Sequence, residues 1–482
     1  MNKNFYACFF FCAAVIFLLC ANLQAQQAPV RLSTDEAVDL AIRSNLGLES
    51  SRTSLETKRR ASELSWNQFI PQVNVSGTFN VDNYATDANS TIRLTPIPGT
   101  PLGPYVLEGI PGTMYASGGV FINDPVSVSQ WRPVGQMSIS LSLNAAMFEN
   151  MNRLRIDYEG GLLTYEKAKA QLERDIRKLY HNMLLMQENI ELLRSSFENV
   201  ERQVQIAQAN YRAGFVPELT LLQAQVAREN MRPAMDQVEN GLKLLMAQFA
   251  MYLGMDYNTP FELVPIGDNI NFVSLDVMEM ITQAATGKPD IQELRQTIMM
   301  IESARKMQNL ALTPSLNINW SGMSALKVDP LKNNWFTYDN WLHSGSLSIT
   351  VALRLHSLLP WSSDTQAIRN LDDQLTTATI GLAQMIRGTE IEVYNIVLAL
   401  ERTRVNTQAL EQTVALAQQA YRLTEQAYRA GLQDYFQVQN AEQSLRQAKV
   451  QLLEQHFTYL NGLIDLEYST GVPFGTLSGR RD

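Results

Sequence analysis

Histidine, cysteine and acidic side chains are the first groups to examine for catalysis or metal binding. The four histidines are scattered and show no ligand spacing: His181, His343, His356 and His456. The chain contains neither a glycine-rich phosphate loop nor a nucleophile elbow. Its acidic residues fall on predicted helix surfaces, where solvation or ion pairing explains them. The sequence therefore predicts no catalytic residue, no cofactor and no metal site, and an enzyme is a remote alternative.

All three cysteines, Cys8, Cys12 and Cys20, lie near the N-terminus. Lys3, the apolar stretch over residues 5–19 and the small residue Ala25 together predict a secretory signal peptide. Cleavage after Ala25 would leave a mature chain without disulfides or thiol ligands. A lipid-anchored Cys20 is the alternative, although Leu19 is bulkier than the residue expected before such a cysteine.

Charge and hydropathy narrow the range of partners. The net charge is −9 with a pI near 5.2, and no block of lysine and arginine could follow a phosphate backbone. Nucleic acid is therefore not an expected partner. After the first 25 residues, no apolar run reaches the roughly 18 residues of a transmembrane helix. Any membrane crossing would have to use β-strands.

One four-residue turn sequence occurs twice in the chain. Tyr-Arg-Ala-Gly ends at Gly214 and again at Gly431, each time after a long run with apolar residues every three or four positions. Subtracting 214 from 431 gives an offset of 217, which carries Ile176 onto Val393 and preserves the apolar register. We infer an internal duplication of a helical hairpin, because each copy must bury the same stripe.

Both copies show the same predicted order of helix, strand, loop, strand, long helix and return helix. A capping box at Ser33 and Glu36 starts a first helix of about 34 residues that ends at Pro71, for which Pro314 is the counterpart. The predicted domains are a signal peptide (1–25), a first repeat (26–270), a second repeat (271–470) and a C-terminal tail (471–482). The first repeat contains a strand pair (72–144), a long irregular loop (84–133) and a helical hairpin (150–253). The second contains a strand pair (315–355) and a helical hairpin (363–468).

The number of strands predicts an oligomer. Each chain supplies four strands with one apolar face, whereas an outer-membrane barrel needs at least about eight strands to close. Three chains would supply twelve, and their heptad-patterned helices would gather into a tube. The predicted fold class is thus an α+β membrane protein, a trimeric 12-stranded outer-membrane β-barrel continued by a long α-helical coiled-coil periplasmic tunnel.

The duplicated order of elements and the Tyr-Arg-Ala-Gly turn in each copy resemble the TolC family of outer-membrane efflux proteins. The resemblance covers nearly the whole chain after the predicted signal peptide. It implies a homotrimer in the outer membrane of a Gram-negative bacterium, in contact with outer-membrane lipid and with its helices in the periplasm. It also implies a passive exit duct that an inner-membrane transporter energises through a periplasmic adaptor protein.

The resemblance assigns adaptor docking to the two hairpin turns. In the family, a segment of small residue, glycine and apolar residue meets the adaptor at this place. The matching residues are Ala213, Gly214, Phe215, Ala430, Gly431 and Leu432. Each glycine is also explained as a left-handed helix cap, and the two roles are compatible.

The resemblance also implies a periplasmic gate. The family commonly closes its tunnel with carboxylates six and nine residues after the second turn glycine, aided by a tyrosine three residues before it. Tyr428 matches that tyrosine, whereas Gln437 and Asn440 occupy the carboxylate positions. The counterparts in the first copy are Tyr211, Thr220 and Gln223. A neutral gate of amides and hydroxyls is therefore expected, unless Gln437 and Asn440 simply face solvent.

Two alternative functions remain open at the level of sequence. The duct could serve type I protein secretion rather than the efflux of small molecules. The chain could also be a periplasmic coiled-coil structural protein without a pore, although the amphipathic strands argue against that alternative.

Overall fold

The computed structural model describes residues 30–81, 91–96, 113–116, 119–124, 131–266, 272–327 and 334–477. The predicted signal peptide and Cys20 lie outside the described residues. The described chain divides into two compact units. A helical unit takes in residues 30–61, 155–301 and 374–477, and a strand-bearing unit takes in residues 62–154 and 302–373, less the gaps given above.

The helices follow the predicted order in both copies. Those of the first copy are α1 (Thr34–Ser44), α2 (Leu46–Glu63), α3 (Ala146–Arg212) and α4 (Glu218–Tyr252). Those of the second copy are α5 (Val277–Gly287), α6 (Pro289–Leu310), α7 (Ser363–Arg429) and α8 (Tyr435–Thr470). The long helices α3 and α7 each have 67 residues, which is about 100 Å at 1.5 Å per residue. None of the helices that the structure describes combines the length and the apolarity that crossing a membrane requires.

The first helix of each copy is interrupted, which corrects the prediction of one continuous helix of about 34 residues. Asn45 adopts extended backbone angles between α1 and α2, and its side-chain oxygen accepts a hydrogen bond from the Leu48 N–H at 3.1 Å. In the second copy the break falls at Lys288, directly before Pro289, which disfavours helical angles in the residue it follows. Asn45 and Lys288 differ by 243 positions, as do Pro71 and Pro314. The break is therefore part of the duplicated pattern.

The apolar stripes of the long helices are buried within the helical unit. On α3, buried residues recur every three or four positions, and the ring of Tyr180 lies 6.2 Å from that of Phe249 on α4. On α7, Val393 and Val397 share a buried cluster with Leu463 of α8. Each return helix thus covers part of the stripe of a long helix, as the heptad pattern predicts.

A short parallel sheet, which the sequence pattern did not reveal, joins the two ends of the first copy. It pairs β1 (Val30–Leu32) with β7 (Phe261–Leu263). The hydroxyl oxygen of Tyr180 lies 2.9 Å from the Leu32 carbonyl and 2.8 Å from the Val264 carbonyl, and it accepts a hydrogen bond from the Val264 N–H at 2.9 Å. Strands of three residues are too short to show the alternation that identifies a strand.

The strand-bearing unit contains a four-stranded sheet in which all neighbours are antiparallel, in the order β2–β6–β8–β9. Its strands are β2 (Gln72–Val81), β6 (Trp131–Leu143), β8 (Ser315–Leu326) and β9 (Trp341–Ala352). The register places apolar residues in one row across the four strands: Val73, Ile139, Trp320 and Leu347. The next row holds polar residues: Asn74, Ser138, Ser321 and Ser346. Adjacent rows point to opposite faces, so the sheet has one apolar and one polar face.

The segment predicted as an irregular loop over residues 84–133 contains regular pairing, which corrects that prediction. Its described residues include three short strands: β3 (Thr91–Pro96), β4 (Thr113–Ala116) and β5 (Gly119–Asp124). β5 pairs antiparallel with both β3 and β4. Stretches of four to six residues are long enough to pair, even in a segment that is rich in proline and glycine.

Candidate docking tips and channel gate

Both helical hairpins turn on a glycine in the left-handed region. Gly214 has φ +75° and Gly431 has φ +76°. At the first turn, the N–H of Phe215 donates to the Asn210 carbonyl at 2.9 Å, and the N–H of Gly214 donates to the Tyr211 carbonyl at 3.0 Å. The second turn repeats both bonds at cognate positions. This Schellman pattern ends the helix and favours glycine, which adopts a positive φ without strain.

The turn residues present apolar side chains to solvent. Phe215 is 80% exposed and Leu432 is 79% exposed. The remaining predicted docking residues are exposed as well: Ala213, Gly214, Ala430 and Gly431. A Cβ atom built on either glycine would meet no atom within 4 Å. Each tip is thus a compact turn with one large apolar side chain, which is a suitable contact surface for another protein.

The two tip tyrosines occupy different environments although their surrounding sequence is duplicated. Tyr428 is only 5% exposed, and its ring makes an edge contact with Tyr435 at a centroid distance of 6.2 Å. Tyr211 is 40% exposed. Burial raises the pKa of Tyr428, so its hydroxyl stays protonated at neutral pH. The two hairpins are therefore not equivalent at their tips.

The predicted neutral gate residues point away from the buried side of their helices. Gln223, Gln437 and Asn440 are exposed, and Thr220 is half-buried. Within the described residues of one chain, no hydrogen bond joins any two of these four side chains. The Asp434 carboxylate accepts a hydrogen bond from the Gln437 backbone N–H at 3.0 Å and caps α8. A single chain thus leaves these polar groups available, and the neutral gate remains a prediction.

A buried cluster behind the tips, here termed the tip cluster, joins all four helices of the two hairpins. Its members are Val204, Ala207, Ala224, Tyr428, Tyr435 and Val438. Burial raises the pKa of Tyr435 to about 12. In the described part of the chain, the hydroxyls of Tyr428 and Tyr435 have no hydrogen-bond partner. Leaving such groups unpaired destabilises the packed state.

Glu442 lies one turn beyond the tip cluster and was missed by the sequence reasoning. Glu442 is only 7% exposed. Burial raises the pKa of its carboxyl group, and the nearby Arg446 cation partly offsets this rise. The sequence did contain a signal for the burial of Glu442. Tyr435, Val438 and Glu442 are spaced three and four residues apart, which places them on one helix face. An acidic residue on such an apolar helix face indicates a buried carboxyl group.

Two of the histidines make polar contacts with other side chains. His181 Nδ1 lies 2.9 Å from the Asn461 side-chain oxygen, and His343 Nδ1 lies 2.8 Å from the Ser324 hydroxyl. Across the described ranges, no group of three histidine, cysteine or acidic side chains could hold a metal ion.

Comparisons with known proteins agree with this architecture. The chain matches the outer membrane efflux protein family over residues 37–254 and 280–472. It is 22% identical over 342 residues to the alkaline protease secretion protein AprF of Pseudomonas aeruginosa, with 69% of each chain covered. The solved structure of CusC is similar with a TM-score of 0.70 at 14% identity, covering 91% of this chain and 92% of that one. The CmeC outer membrane channel of Campylobacter jejuni gives a TM-score of 0.69 at 13% identity, covering 91% and 85%.

These matches confirm the predicted resemblance to outer-membrane efflux proteins and the predicted fold class of shared barrel strands and helical tunnel. They also confirm the outer membrane as the location and a channel of efflux or secretion systems as the function. The family consists of channel proteins that form trimers and work with adaptors and inner-membrane transporters. Because the family model matches most of its length, the chain belongs to the outer membrane efflux protein family.

Proposed function

We propose that three copies of this chain form one exit duct, to which a periplasmic adaptor docks at the hairpin tips and through which an inner-membrane transporter exports its substrate. The observation that carries this proposal is the two-faced sheet with open edges. The adaptor and the transporter are the partners that the family's mode of action requires. Outer-membrane lipid would surround the barrel.

The apolar face of the sheet is suited to lipid. On the edge strands its side chains are largely exposed in the single chain, as in Val73 and Val75 of β2 and Leu347 and Ile349 of β9. The opposite face carries serine, asparagine and threonine in consecutive rows. Alternation of lipid-facing and water-facing residues is the pattern of a transmembrane barrel wall around a polar interior.

The edges of the sheet supply the reason for three copies. Among the described strands, β2 and β9 each pair on one side only, and the antiparallel order of the four strands makes them run in opposite directions. β9 of one copy can therefore pair antiparallel with β2 of the next copy, which removes exposed edges that would otherwise aggregate. Three copies give twelve strands, an even number that closes an antiparallel barrel.

Docking of the adaptor at the tips is supported by the exposure of Phe215 and Leu432. Both residues lie on compact turns in which a glycine has a positive φ. Two similar tips per chain give six around a trimer. The difference between buried Tyr428 and exposed Tyr211 makes the two tips chemically distinct. An adaptor would therefore meet two kinds of site.

Secretion of polypeptides is a second candidate for the cargo, favoured by the match to AprF, whose name describes secretion of an alkaline protease. A deletion strain separates the two cargo classes. Loss of a protein from the culture medium, with unchanged tolerance of toxic small molecules, would support secretion. The reverse result would support efflux of small molecules.

The duct itself is tested by the mass of the particle extracted from outer membranes in detergent, measured by light scattering with the detergent contribution subtracted. The expected result is three chains per particle and ion conductance in planar bilayers. A soluble monomer or dimer without conductance would overturn the proposal and favour a periplasmic coiled-coil protein.

A further inference from the structure

The second return helix, α8, carries a buried acidic residue next to the tip cluster. Glu442 is only 7% exposed, and it lies on the same helix face as Tyr435 and Val438. Glu467, which is also buried on this helix, accepts hydrogen bonds from two backbone N–H groups, whereas no hydrogen bond to Glu442 occurs among the described residues. Burial strongly destabilises an ionised carboxylate that has no such partners.

The side chains around Glu442 include polar groups with few hydrogen bonds. In the part of the chain that the structure describes, the hydroxyls of Tyr428 and Tyr435 have no hydrogen-bond partner. The Tyr421 hydroxyl accepts one from the Gln203 amide at 3.3 Å. Burial raises the pKa of Tyr421 and of Tyr435, and the charge of Glu442 adds to the rise in both. A packed state that contains such groups is destabilised relative to a state that admits water.

The charged groups around this acid come from three helices. Arg446 lies one turn further along α8, whereas Glu425 of α7 and Arg202 of α3 act on the neighbouring Tyr421. Glu425 forms an ion pair of 2.6 Å with Arg429. The members that α4 contributes to the tip cluster are apolar. Arg446 is therefore the cation that acts on Glu442, and it offsets the effect of burial only in part.

The predicted gate residues lie on the opposite face of the same helix. Gln437 and Asn440 are exposed, whereas Tyr435, Val438 and Glu442 are buried. The backbone hydrogen bonds of a helix hold neighbouring turns together, so a displacement of the buried face also displaces the exposed one. The protonation state of Glu442 can therefore act on the gate without contact between Glu442 and the cargo.

Ionisation of Glu442 favours a tip that is less tightly packed. The protonated acid tolerates burial, whereas the carboxylate requires water or a partner. The contribution of this acid to the packed tip is fully present below the pKa of the hydrated state, and it is lost as the pH rises through the raised pKa of the packed state. The ratio of hydrated to packed tips changes by about tenfold for each unit by which these two pKa values differ.

We propose that Glu442 is a positioning residue of the periplasmic gate. Its protonated form holds α8 against α3 and α7, which keeps the amides of Gln437 and Asn440 at the constriction. Its ionised form draws water into the tip cluster, loosens α8 and widens the constriction. This inference rests on the proposed exit duct and adds to it a regulation by periplasmic pH.

Conductance in planar bilayers over a series of pH values tests this role. The unsubstituted channel should conduct little at acidic pH and should open as the pH rises. Glu442→Gln keeps the size of the side chain but cannot ionise, so its conductance should stay low across the series. Arg446→Gln should move the midpoint of opening to higher pH, because the Arg446 cation lowers the pKa of Glu442. Glu454→Gln is the matched control on an exposed position of α8 and should keep the original pH dependence.

Thiol labelling measures the packing of the tip independently of conductance. Val438→Cys places a thiol on the buried face of α8, and Leu432→Cys places one on the exposed turn. The ratio of their maleimide labelling rates cancels the pH dependence of the thiol itself. This ratio should rise with pH in the unsubstituted background and stay constant when Glu442→Gln is added.

The outcomes separate the role of Glu442 from the duct. Three-chain particles whose conductance and labelling ratio do not depend on pH would overturn the proposal and leave the duct intact. The same conclusion would follow if Glu442→Gln kept the pH dependence of the unsubstituted channel. Absence of three-chain particles, together with absence of conductance at every pH, would overturn the duct as well.

Discussion

Gly471 and Gly287 pack backbone against backbone where the second return helix ends. A Cβ atom on Gly471 would lie 2.3 Å from the Gly287 carbonyl oxygen, and Gly471 has φ +72°. The first copy repeats this contact, because a Cβ on Gly254 would lie 2.4 Å from the Ser44 carbonyl oxygen. Gly254 and Gly471 differ by 217 positions, whereas Ser44 and Gly287 differ by 243. Both copies thus have the same close backbone contact, although the two residues that form it are displaced by different numbers of positions between the copies.

Replacing Gly471 by alanine should destabilise the helical unit strongly, because the new Cβ combines a left-handed backbone with a clash against backbone. Gly431→Ala is the matched control, since its φ of +76° is equally unfavourable but its surroundings are open. The control should cost about 1–2 kcal/mol, and Gly471→Ala clearly more. Thermal unfolding of the detergent-extracted protein, followed by helical circular dichroism, measures both. Equal losses would show that the contact with Gly287 is unimportant.

Tyr180→Phe should lower the free energy of unfolding by about 1–3 kcal/mol, because it leaves the Val264 N–H and a carbonyl without their buried partner. Tyr459→Phe is the comparison, since that hydroxyl accepts a hydrogen bond from the Val273 N–H at 3.0 Å and should cost about 0.5–1.5 kcal/mol. Denaturant unfolding gives both values. A larger loss for Tyr459→Phe would contradict the assigned role of Tyr180 in holding β1 to β7.

Glu442→Gln should stabilise the protein at neutral pH. Burial raises the pKa of Glu442, so the folded chain binds this proton more tightly than the unfolded chain does. The free energy of unfolding therefore falls as the pH rises from the ordinary value of 4.5 through the raised pKa. The glutamine variant lacks this decline, and its advantage should shrink toward acidic pH.

Glu467→Gln supplies the contrast for this pH experiment. Burial also raises the pKa of Glu467, but its carboxylate accepts hydrogen bonds from the Gly475 and Leu477 N–H groups. An amide retains only one acceptor oxygen, so this variant should be destabilised. Unfolding temperatures measured over a pH series test the expected effects of both Glu442→Gln and Glu467→Gln. A Glu442→Gln variant with the pH dependence of the unsubstituted protein would refute the assignment.

The neutral gate predicts weak sensitivity of conductance to divalent cations. Introducing Gln437→Asp and Asn440→Asp together should create a cation-sensitive constriction, because clustered carboxylates bind divalent ions. Planar-bilayer conductance with calcium, against sodium at equal ionic strength, measures the effect. Strong closure of the unsubstituted channel by calcium would argue against the neutral gate and point to Asp434 or Glu218 near the tips.

Phe215→Ser should reduce cross-linking to the periplasmic adaptor by about tenfold while leaving the trimer assembled, which corresponds to a loss of roughly 1.4 kcal/mol of contact energy. Leu46→Ser is the control, since Leu46 is similarly exposed but starts α2, far along the chain from either turn. Cross-linking yield from whole cells is the readout. Equal yields for Phe215→Ser and the unsubstituted chain would remove Phe215 from the docking surface.

The sequence by itself determined the duplicated architecture. The heptad stripes predicted α3 and α7, because a long helix must keep one face buried along its length. The glycines at 214 and 431 predicted the turns, because a left-handed residue ends the helix there. The alternation of apolar and polar residues predicted the two-faced sheet, because side chains of a strand point alternately to its two faces.

The tertiary structure alone decided features that depend on residues distant in sequence. Tyr428 is buried and Tyr211 is exposed although both stand in the same four-residue motif, since their surroundings come from different helices. The pairing of β1 with β7 joins segments more than two hundred residues apart and leaves no local pattern. Likewise, only the packing shows that Gly471 must lack a side chain because Gly287 lies against it. Gly431 is favoured only for its backbone conformation, since its surroundings are open. Local sequence encodes periodicity and turns, whereas burial depends on which surfaces the folded chain brings together.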